Sequence, residues 1–264
     1  MTLPDNENDN NVASHKMYMG WAIKLAKYAL DHGETPVACI FVHYKSKQIV
    51  AYGMNDTNNS LTGIAHAEFM AIEQIKSRFP NDPIGFNQFC SDCIVYVTVE
   101  PCIMCASALK QLNFKKIYFG CGNDRFGGNG TVLSINQDKS TVNYNGVVYK
   151  QKSIPGLYRR EAIMLLRYFY VKENKRSPNP RIKLDRNLDK DNFPQINWSH
   201  YMNNNLFGQE FGLNNLSHFQ TMDDIEEFSR IDWNLIDSTY DNILNDLQLE
   251  TKHFKLNEYK RLKV

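Results

Sequence analysis

The sequence predicts an α/β fold in which helices pack against the faces of a sheet. Two apolar runs at residues 37–43 and 48–53 predict a β-hairpin, and residues 94–99 and 116–120 predict two further strands. Amphipathic helical patterns precede and separate these strands, and this alternation is typical of layered α/β domains. With 264 residues, of which 42% are hydrophobic, the chain is long enough for one such domain and an extension.

Four helices are predicted from apolar residues at helical spacing. They cover residues 14–33, 61–78, 102–112 and 157–174. Gly33 suits the C-terminal cap of the first helix. Residues 81–88 contain proline and glycine and are predicted to form a loop, and residues 141–150 are predicted to form a hairpin insertion.

Composition divides the chain into three parts. Residues 1–13 are polar and are predicted to be disordered. Residues 14–176 contain all the predicted strands and form the predicted main domain. The Ser-Pro-Asn-Pro sequence that follows marks its boundary, and residues 177–264 form a C-terminal extension with a basic start. An acidic amphipathic segment at 223–249 is expected to pack on the main domain or on a partner.

His66, Cys102 and Cys105 form a set of ligands that is typical of a catalytic zinc site. Zinc binds imidazole nitrogen and thiolate sulfur, and catalytic sites use three protein ligands so that water occupies the fourth position. Pro101 favours the first turn of a helix, so the strand at 94–99 is expected to run directly into a helix. The helix dipole at that position favours thiolate over thiol. Zn²⁺ is therefore the expected cofactor.

Glu68 is the predicted catalytic residue, because it lies two positions beyond His66 and within reach of a water on the metal. The pattern H-x-E followed by P-C-x-x-C is the signature of zinc-dependent nucleobase deaminases. All five motif residues occur in the right order and in the expected helical contexts. The alternatives are a cysteine pair with an unrelated histidine and a purely structural zinc site, which would need a fourth Cys or His nearby.

At these motifs the sequence resembles the catalytic subunit of the eukaryotic tRNA adenosine deaminases that convert wobble adenosine to inosine, in its fungal form. The resemblance is dense over residues 16–176 and weaker in the extension. It is carried by residues 31–39, 52–57, 98–109 and 125–131, and in the extension by 191–194 and 231–233. The domain at 14–176 is thus identified as a zinc-dependent deaminase domain.

This resemblance implies a cytidine-deaminase-like core, which is a three-layer α/β/α fold with a mixed sheet of about five strands. It implies hydrolytic deamination of adenosine at the wobble position of the tRNA anticodon. In that family the asparagine at the place of Asn55 contacts the target nucleoside, and the loop that holds Arg125 borders the active site. Asn55 and Arg125 are therefore predicted to bind substrate, although by sequence alone Asn55 also suits a turn.

The family also implies a protein partner. The catalytic subunit pairs with a homologous deaminase subunit that is inactive because it has no glutamate at the place of Glu68. This chain has Glu68 and is therefore predicted to be the active subunit of a heterodimer.

Charge is distributed unevenly, although the formal net charge is only +1. Residues 150–190 contain 12 Lys or Arg and 4 Asp or Glu. Residues 210–250 contain 1 Lys or Arg and 10 Asp or Glu. A basic segment suits contact with the phosphates of a tRNA anticodon arm, but it is also compatible with a solvated surface. Five residues are predicted to contact RNA on the basis of charge: Lys172, Lys175, Arg176, Arg181 and Lys183.

Composition favours an intracellular protein. No apolar run approaches the roughly 18 residues of a membrane span, and the N-terminal residues are unlike a secretory signal. Six cysteines, two of them assigned to zinc, suit a reducing compartment. Cys90 and Cys93 form a second pair that we interpret as structural, because no further ligand lies beside it. The expected locations are the cytoplasm and the nucleus, with no membrane partner.

Two other functions remain open at this point. A cytidine or nucleotide deaminase acting on free small substrates would share the zinc residues, and nothing in them separates cytosine from adenine. A non-catalytic RNA-binding subunit with a relict metal site is the second alternative. Glu68 argues against it, since such a subunit has no use for a proton carrier.

Overall fold

A mixed five-stranded sheet lies at the centre of the computed structural model. The structure describes residues 12–140, 142, 145–171, 188–256 and 259. The strands are β1 (Ala38–His43), β2 (Ile49–Met54), β3 (Cys93–Val99), β4 (Lys116–Cys121) and β5 (Lys152–Ile154). Their spatial order is β2-β1-β3-β4-β5. The predicted hairpin is present, since β1 and β2 pair in antiparallel orientation.

Strand β3 is the central strand, antiparallel to β1 and parallel to β4. All seven residues of β3 are buried, because helices cover both faces of the sheet. The parallel pairing places the carboxyl ends of β3 and β4 at one edge, where Val99 lies opposite Cys121. The segments that follow these two strands therefore emerge side by side.

Helices form the two outer layers. They are α1 (Val12–Asp31), α2 (Ala67–Lys76), α3 (Pro83–Ser91), α4 (Ile103–Gln111), α5 (Arg159–Val171), α6 (Asn204–Phe211), α7 (Leu216–Thr221), α8 (Trp233–Asp237) and α9 (Ile243–His253). Helices α1 and α5 pack on one face, here called the α1 face, against Ile40 and Tyr96. Helices α2, α3 and α4 pack on the opposite α2 face, against Phe41 and Val97. The predicted three-layer α/β/α fold is confirmed. Within the described part of the chain, no helix is both long and apolar enough to cross a membrane.

The prediction of a loop at residues 81–88 is wrong, because most of this segment belongs to α3. Pro83 lies at the first helical position, where a missing N–H costs little. The Asp82 carboxylate caps the helix by accepting a hydrogen bond from Gly85 N at 2.8 Å. The proline and glycine that indicated a loop are thus features of a helix start.

One strand was missed by the sequence analysis, and one predicted hairpin is only partly described. Strand β5 was not predicted, since its three residues are too few for a clear period-2 pattern. In the hairpin predicted at 141–150, Val142 and Val148 form an isolated antiparallel bridge, and residues 141, 143 and 144 lie outside the described residues.

The C-terminal extension packs against the deaminase domain rather than apart from it. Trp198, Phe207 and Phe228 are at most 1% exposed and belong to the hydrophobic core of the α1 face. The acidic segment at 223–249 forms a 3-10 turn at Glu226–Phe228, then α8 and the start of α9. Burial of these aromatic residues joins the extension and the domain in one core.

Acidic residues of the extension hold it to helix α5. Asp224 accepts hydrogen bonds from Arg159 Nη1 at 3.1 Å and from Arg160 Nε at 2.7 Å.

Glu161 of α5 lies next to these arginines in the sequence. It is 1% exposed and accepts a hydrogen bond from Asp232 N at 2.7 Å. Its other oxygen, Oε2, has no hydrogen-bond partner among the described residues. A buried carboxyl with one free oxygen is better accommodated when it is protonated.

We predict that Glu161 makes the protein less stable at high pH. Burial raises the pKa of Glu161 from its usual 4.5 to about 7. The folded state thus retains a proton that the unfolded chain loses, so this contribution is complete below about pH 4.5 and is lost as the pH rises through 7. The wild type should lose about 3 kcal/mol of unfolding free energy between pH 5 and pH 8 through this group. Glu161→Gln should not show this loss, because glutamine does not titrate.

Urea denaturation at both pH values measures this effect. The control is Glu227→Gln, at an exposed position of the same acidic segment, which should leave the pH dependence unchanged. An identical pH dependence in the wild type and in Glu161→Gln would contradict the prediction.

Candidate active site

Two helix N-termini meet at the edge of the sheet where β3 and β4 end. His66 is the N-cap residue of α2, and Cys102 is the N-cap residue of α4. Pro101 separates β3 from α4, as the sequence predicted. Helix α2 approaches β2 closely because of Gly53, where an added Cβ would lie 2.0 Å from the Ala67 carbonyl oxygen. This close contact brings His66 to the same edge as Cys102.

The structure brings His66, Cys102 and Cys105 together with the spacing that zinc requires. Their ligand atoms all lie within 4.8 Å of one another. His66 Nδ1 is 3.5 Å from the sulfur of Cys102 and 3.5 Å from that of Cys105. Tetrahedral coordination, with Zn–S of about 2.3 Å and Zn–N of about 2.0 Å, places nitrogen and sulfur about 3.5 Å apart. These residues therefore fit a zinc ion, and zinc is the cofactor of this site.

The surroundings favour the anionic form of one of the ligands, Cys102. A hydrogen bond from Cys105, assisted by His66, lowers the pKa of Cys102 to about 4. Cys102 also lies at the N-terminus of α4, where the helix dipole stabilises a thiolate. Since zinc binds the thiolate form, little free energy is spent on deprotonating Cys102.

Glu68 lies in the first turn of α2 and is 2% exposed. Burial raises the pKa of Glu68 from its usual 4.5 to about 7. A carboxyl with a pKa near 7 takes up and releases protons readily at neutral pH, which suits a general acid and base. The residue predicted to be catalytic thus has the environment that this role needs.

Asn55 lies beside the same helix start. It is 7% exposed, and its side-chain oxygen accepts a hydrogen bond from Ala67 N at 3.0 Å. This bond uses the amide oxygen, so the side-chain nitrogen is directed elsewhere and donates to no described residue. Asn55 thus helps to fix the start of α2 and keeps a donor for another group.

The loop after β4, residues 122–134, forms a wall beside Cys102. Ile103 N donates to the carbonyl oxygen of Phe126 at 2.8 Å, and Gly128 N donates to that of Pro101 at 2.9 Å. Arg125 is exposed on this loop, with its guanidinium 5.5 Å from the centre of the Phe126 ring. The glycines of this loop make close packing contacts, since a Cβ at Gly128 would lie 2.7 Å from Ala106 Cβ.

Sequence reasoning missed the residue that organises this loop. Glu100 is 2% exposed and accepts hydrogen bonds from Asn123 N at 3.0 Å, Asn129 N at 2.8 Å and Thr131 N at 3.1 Å. It also accepts one from the Thr131 hydroxyl. The only signal in the sequence was a carboxylate at the end of a buried strand, directly before the Pro-Cys motif.

Five residues predicted from charge to contact RNA lie outside the described residues, namely Lys172, Lys175, Arg176, Arg181 and Lys183. Cys90 and Cys93 are buried free cysteines in the α2 face. Across the described ranges, the one group of three or more potential ligands is the set around His66.

Comparison with known proteins agrees with this geometry. The family model of the cytidine and deoxycytidylate deaminase zinc-binding region matches residues 12–121. The tRNA-specific adenosine deaminase subunit tad2 of Schizosaccharomyces pombe is 48% identical over 177 residues, which are 67% of this chain and 42% of that protein. The tRNA-specific adenosine deaminase 2 of Danio rerio is 36% identical over 168 residues, which are 64% of this chain and 76% of that protein.

A solved structure from a study of A-to-I editing by tRNA:A34 deaminases is also similar. It has a TM-score of 0.47 at 21% identity and covers 57% of this chain and 99% of that chain. Fold, ligand set and family model together define a zinc-dependent deaminase domain of the cytidine and deoxycytidylate deaminase type. Within this class, the chain belongs to the family of the tRNA-specific adenosine deaminase 2 proteins. The aligned region spans less than half of the fission yeast relative.

We predict that zinc content depends on the three ligands and not on the second cysteine pair. Cys105→Ser and His66→Ala should each lower zinc affinity by at least about 100-fold, since even indirect changes around zinc sites cost about 10- to 100-fold. Cys93→Ser is the matched control and should retain zinc. Mass spectrometry of metals after dialysis measures the outcome, and zinc retained by Cys105→Ser would contradict the assignment.

Proposed function

We propose that this protein is a tRNA-specific adenosine deaminase subunit that converts adenosine to inosine at the wobble position of the anticodon by hydrolysis. The observation that carries the proposal is the buried Glu68 beside three zinc ligands, in a chain that belongs to the tRNA-specific adenosine deaminase 2 family. The names of the relatives support tRNA as the substrate.

The residues of the site suit each proton transfer of this reaction. His66, Cys102 and Cys105 would hold the zinc ion, which would supply a Lewis acid that lowers the pKa of water. Glu68 accepts the proton of the attacking water and donates it to N1 of adenine as the oxygen adds to C6. Glu68 then carries a second proton to the departing amine. The products are ammonia and inosine.

One backbone donor and the side chains of two residues are available to bind the nucleotide. Cys102 N–H donates to none of the described residues, and it lies at the helix start where an oxygen bound to C6 would be stabilised. The free amide nitrogen of Asn55 is the proposed contact to the nucleoside. Arg125, on the loop wall, is the proposed contact to the neighbouring phosphates.

The wobble base must leave its stack to reach these groups. C6 of a stacked adenine is inaccessible to a protein nucleophile, so the enzyme has to extrude the nucleotide. Anticodon loops suit this mode because their bases are already partly unstacked. The proposed contacts to the anticodon arm rest on charge and are Lys172, Lys175, Arg176, Arg181 and Lys183.

The proposed locations of the protein are the cytoplasm and the nucleus.

We predict that Glu68→Gln abolishes inosine formation without loss of zinc. The glutamine keeps the shape of the side chain but cannot carry a proton, so turnover should fall by about 100- to 10,000-fold. The assay incubates the chain, co-expressed with a homologous subunit, with an unmodified tRNA that has adenosine at the wobble position. Nucleoside mass spectrometry then quantifies inosine.

The control is Glu73→Gln, an exposed position on the same helix, which should retain full activity. Equal turnover by Glu68→Gln would contradict the catalytic assignment. Deamination of free cytidine or of a nucleotide, without inosine in tRNA, would replace the proposed substrate and leave only the zinc chemistry.

A homologous, catalytically inactive deaminase subunit is the proposed partner. Large apolar side chains are exposed on both segments that flank the site, with Leu61 at 88%, Ile64 at 66% and Phe126 at 57%. Large apolar side chains exposed on segments that border a site are typical of a surface that another protein covers. These side chains support a partner that borders the active site.

We predict that Leu61→Asp weakens association with this partner by about 10-fold or more, since a charge replaces a buried apolar contact. Leu249→Asp is the control, because Leu249 is 58% exposed on α9. Sedimentation of the co-expressed pair measures the affinity. Full inosine formation by the chain alone would contradict the need for a partner.

A further inference from the structure

The loop wall at residues 122–134 is joined to the segment that holds Cys102 by two sets of hydrogen bonds. One set links the two backbones directly, and the other links the backbone of the loop to the carboxylate of Glu100. The carboxylate of Glu100 accepts four hydrogen bonds, which is about as many as its two oxygens can accept. Glu100 is only two residues from Cys102. A shift of the loop therefore displaces Cys102 and the helix start behind it.

The C-terminal extension contributes one residue to this arrangement. Tyr201 Oη lies 2.7 Å from Thr131 Oγ1. Because the Thr131 hydroxyl donates its hydrogen to Glu100, the phenol must be the donor in its bond to Thr131. The hydrogen bonds thus run in one direction, from Tyr201 through Thr131 to Glu100.

The ring of Tyr201 is fitted to the same loop. At Gly130, whose φ is +144°, an added Cβ would lie 2.5 Å from Tyr201 Cδ1. At Gly122 it would lie 2.9 Å from Tyr201 Oη. The ring also meets Phe119 of β4 edge to face, with ring centres 5.4 Å apart. Tyr201 therefore lies against the start of the loop at Gly122, against Gly130 and Thr131 further along it, and against the strand that precedes it.

Tyr201 is itself held in place by the buried part of the extension. The 3-10 helix Trp198–His200 precedes it, and Tyr201 N donates to the carbonyl oxygen of Trp198 at 3.0 Å. Trp198 is 1% exposed, and its indole nitrogen donates to the carbonyl oxygen of Asp223 at 3.0 Å. Burial raises the pKa of Tyr201 to about 12, so the phenol keeps its proton at neutral pH.

We propose that Tyr201 is a positioning residue of the active site, through which the C-terminal extension fixes the loop wall by way of Thr131 and Glu100. The role rests on the proposed function only for its effect on deamination. The chain of contacts itself is independent of which base is deaminated. It assigns to the extension a part in shaping the site rather than in stability alone.

The test compares Tyr201→Phe, Thr131→Val and the double variant, each as the full chain with its co-expressed partner. Tyr240→Phe is the matched control, because its hydroxyl also bonds within the extension, to the carbonyl oxygens of Asn234 and Leu235. Tyr201→Phe keeps the ring and removes one hydrogen bond. The fold is therefore expected to survive this change.

Hydrogen exchange measured by mass spectrometry is the first readout. Tyr201→Phe should speed exchange in peptides covering residues 122–134 by about 3- to 10-fold, the range that corresponds to the loss of one hydrogen bond. Peptides covering β1 should exchange as in the wild type, and the control should change neither region. Zinc content, measured in parallel, should remain stoichiometric. Unchanged exchange in the loop would overturn the proposal.

Kinetics on the tRNA substrate are the second readout. Tyr201→Phe should lower kcat/KM by about 3- to 10-fold. In the Thr131→Val background it should have no further effect, because the path to Glu100 is already broken. A lower melting temperature with unchanged kcat/KM, or an independent effect in the double variant, would overturn the proposal. If the wild type forms no inosine, the proposed function fails, while hydrogen exchange still decides the role of Tyr201.

Discussion

The parallel pairing of β3 with β4 is the constraint on which the site depends. Because the two strands run in the same direction, the segment that holds Cys102 and the loop at 122–134 leave the sheet side by side. Glu100 then joins them at the point where both strands end. The third element, α2, reaches this edge because Gly53 leaves room for its backbone. The metal ligands thus converge through sheet topology and one close helix contact.

Two acidic residues of the extension, Asp224 and Glu210, are buried and bind cationic side chains of the deaminase domain. Asp224 engages Arg159 and Arg160, and Glu210 accepts hydrogen bonds from Lys116 and Tyr118 at 2.8 Å. The uneven charge along the sequence therefore reflects, in part, attachment of the extension to the domain. Charge counts over sequence windows overestimate the basic surface that is available to RNA when the opposite charges lie beside it in the fold.

Local patterns were sufficient to predict the ligands and most of the sheet. Metal ligands at fixed spacing and a proline at a helix start are visible in a short window, and the two strands of the hairpin each have a continuous apolar run. Helix α3 was missed because Pro83 and Gly85 are typical of loops as well as of helix starts. The contact between Thr131 and Tyr201 joins residues 70 positions apart, and no local pattern indicates such a pair.

The last described residues of the extension cover parts of both faces of the sheet. Helix α9 packs on the α1 face, whereas Phe254 and Tyr259 pack on the α2 face. Tyr259 Oη donates to Asp92 Oδ2 at 2.7 Å across 167 positions of sequence. Contacts of such long range form late, because the intervening chain must already be arranged. During translation, both faces of the sheet therefore remain incompletely covered until residues up to 259 have left the ribosome.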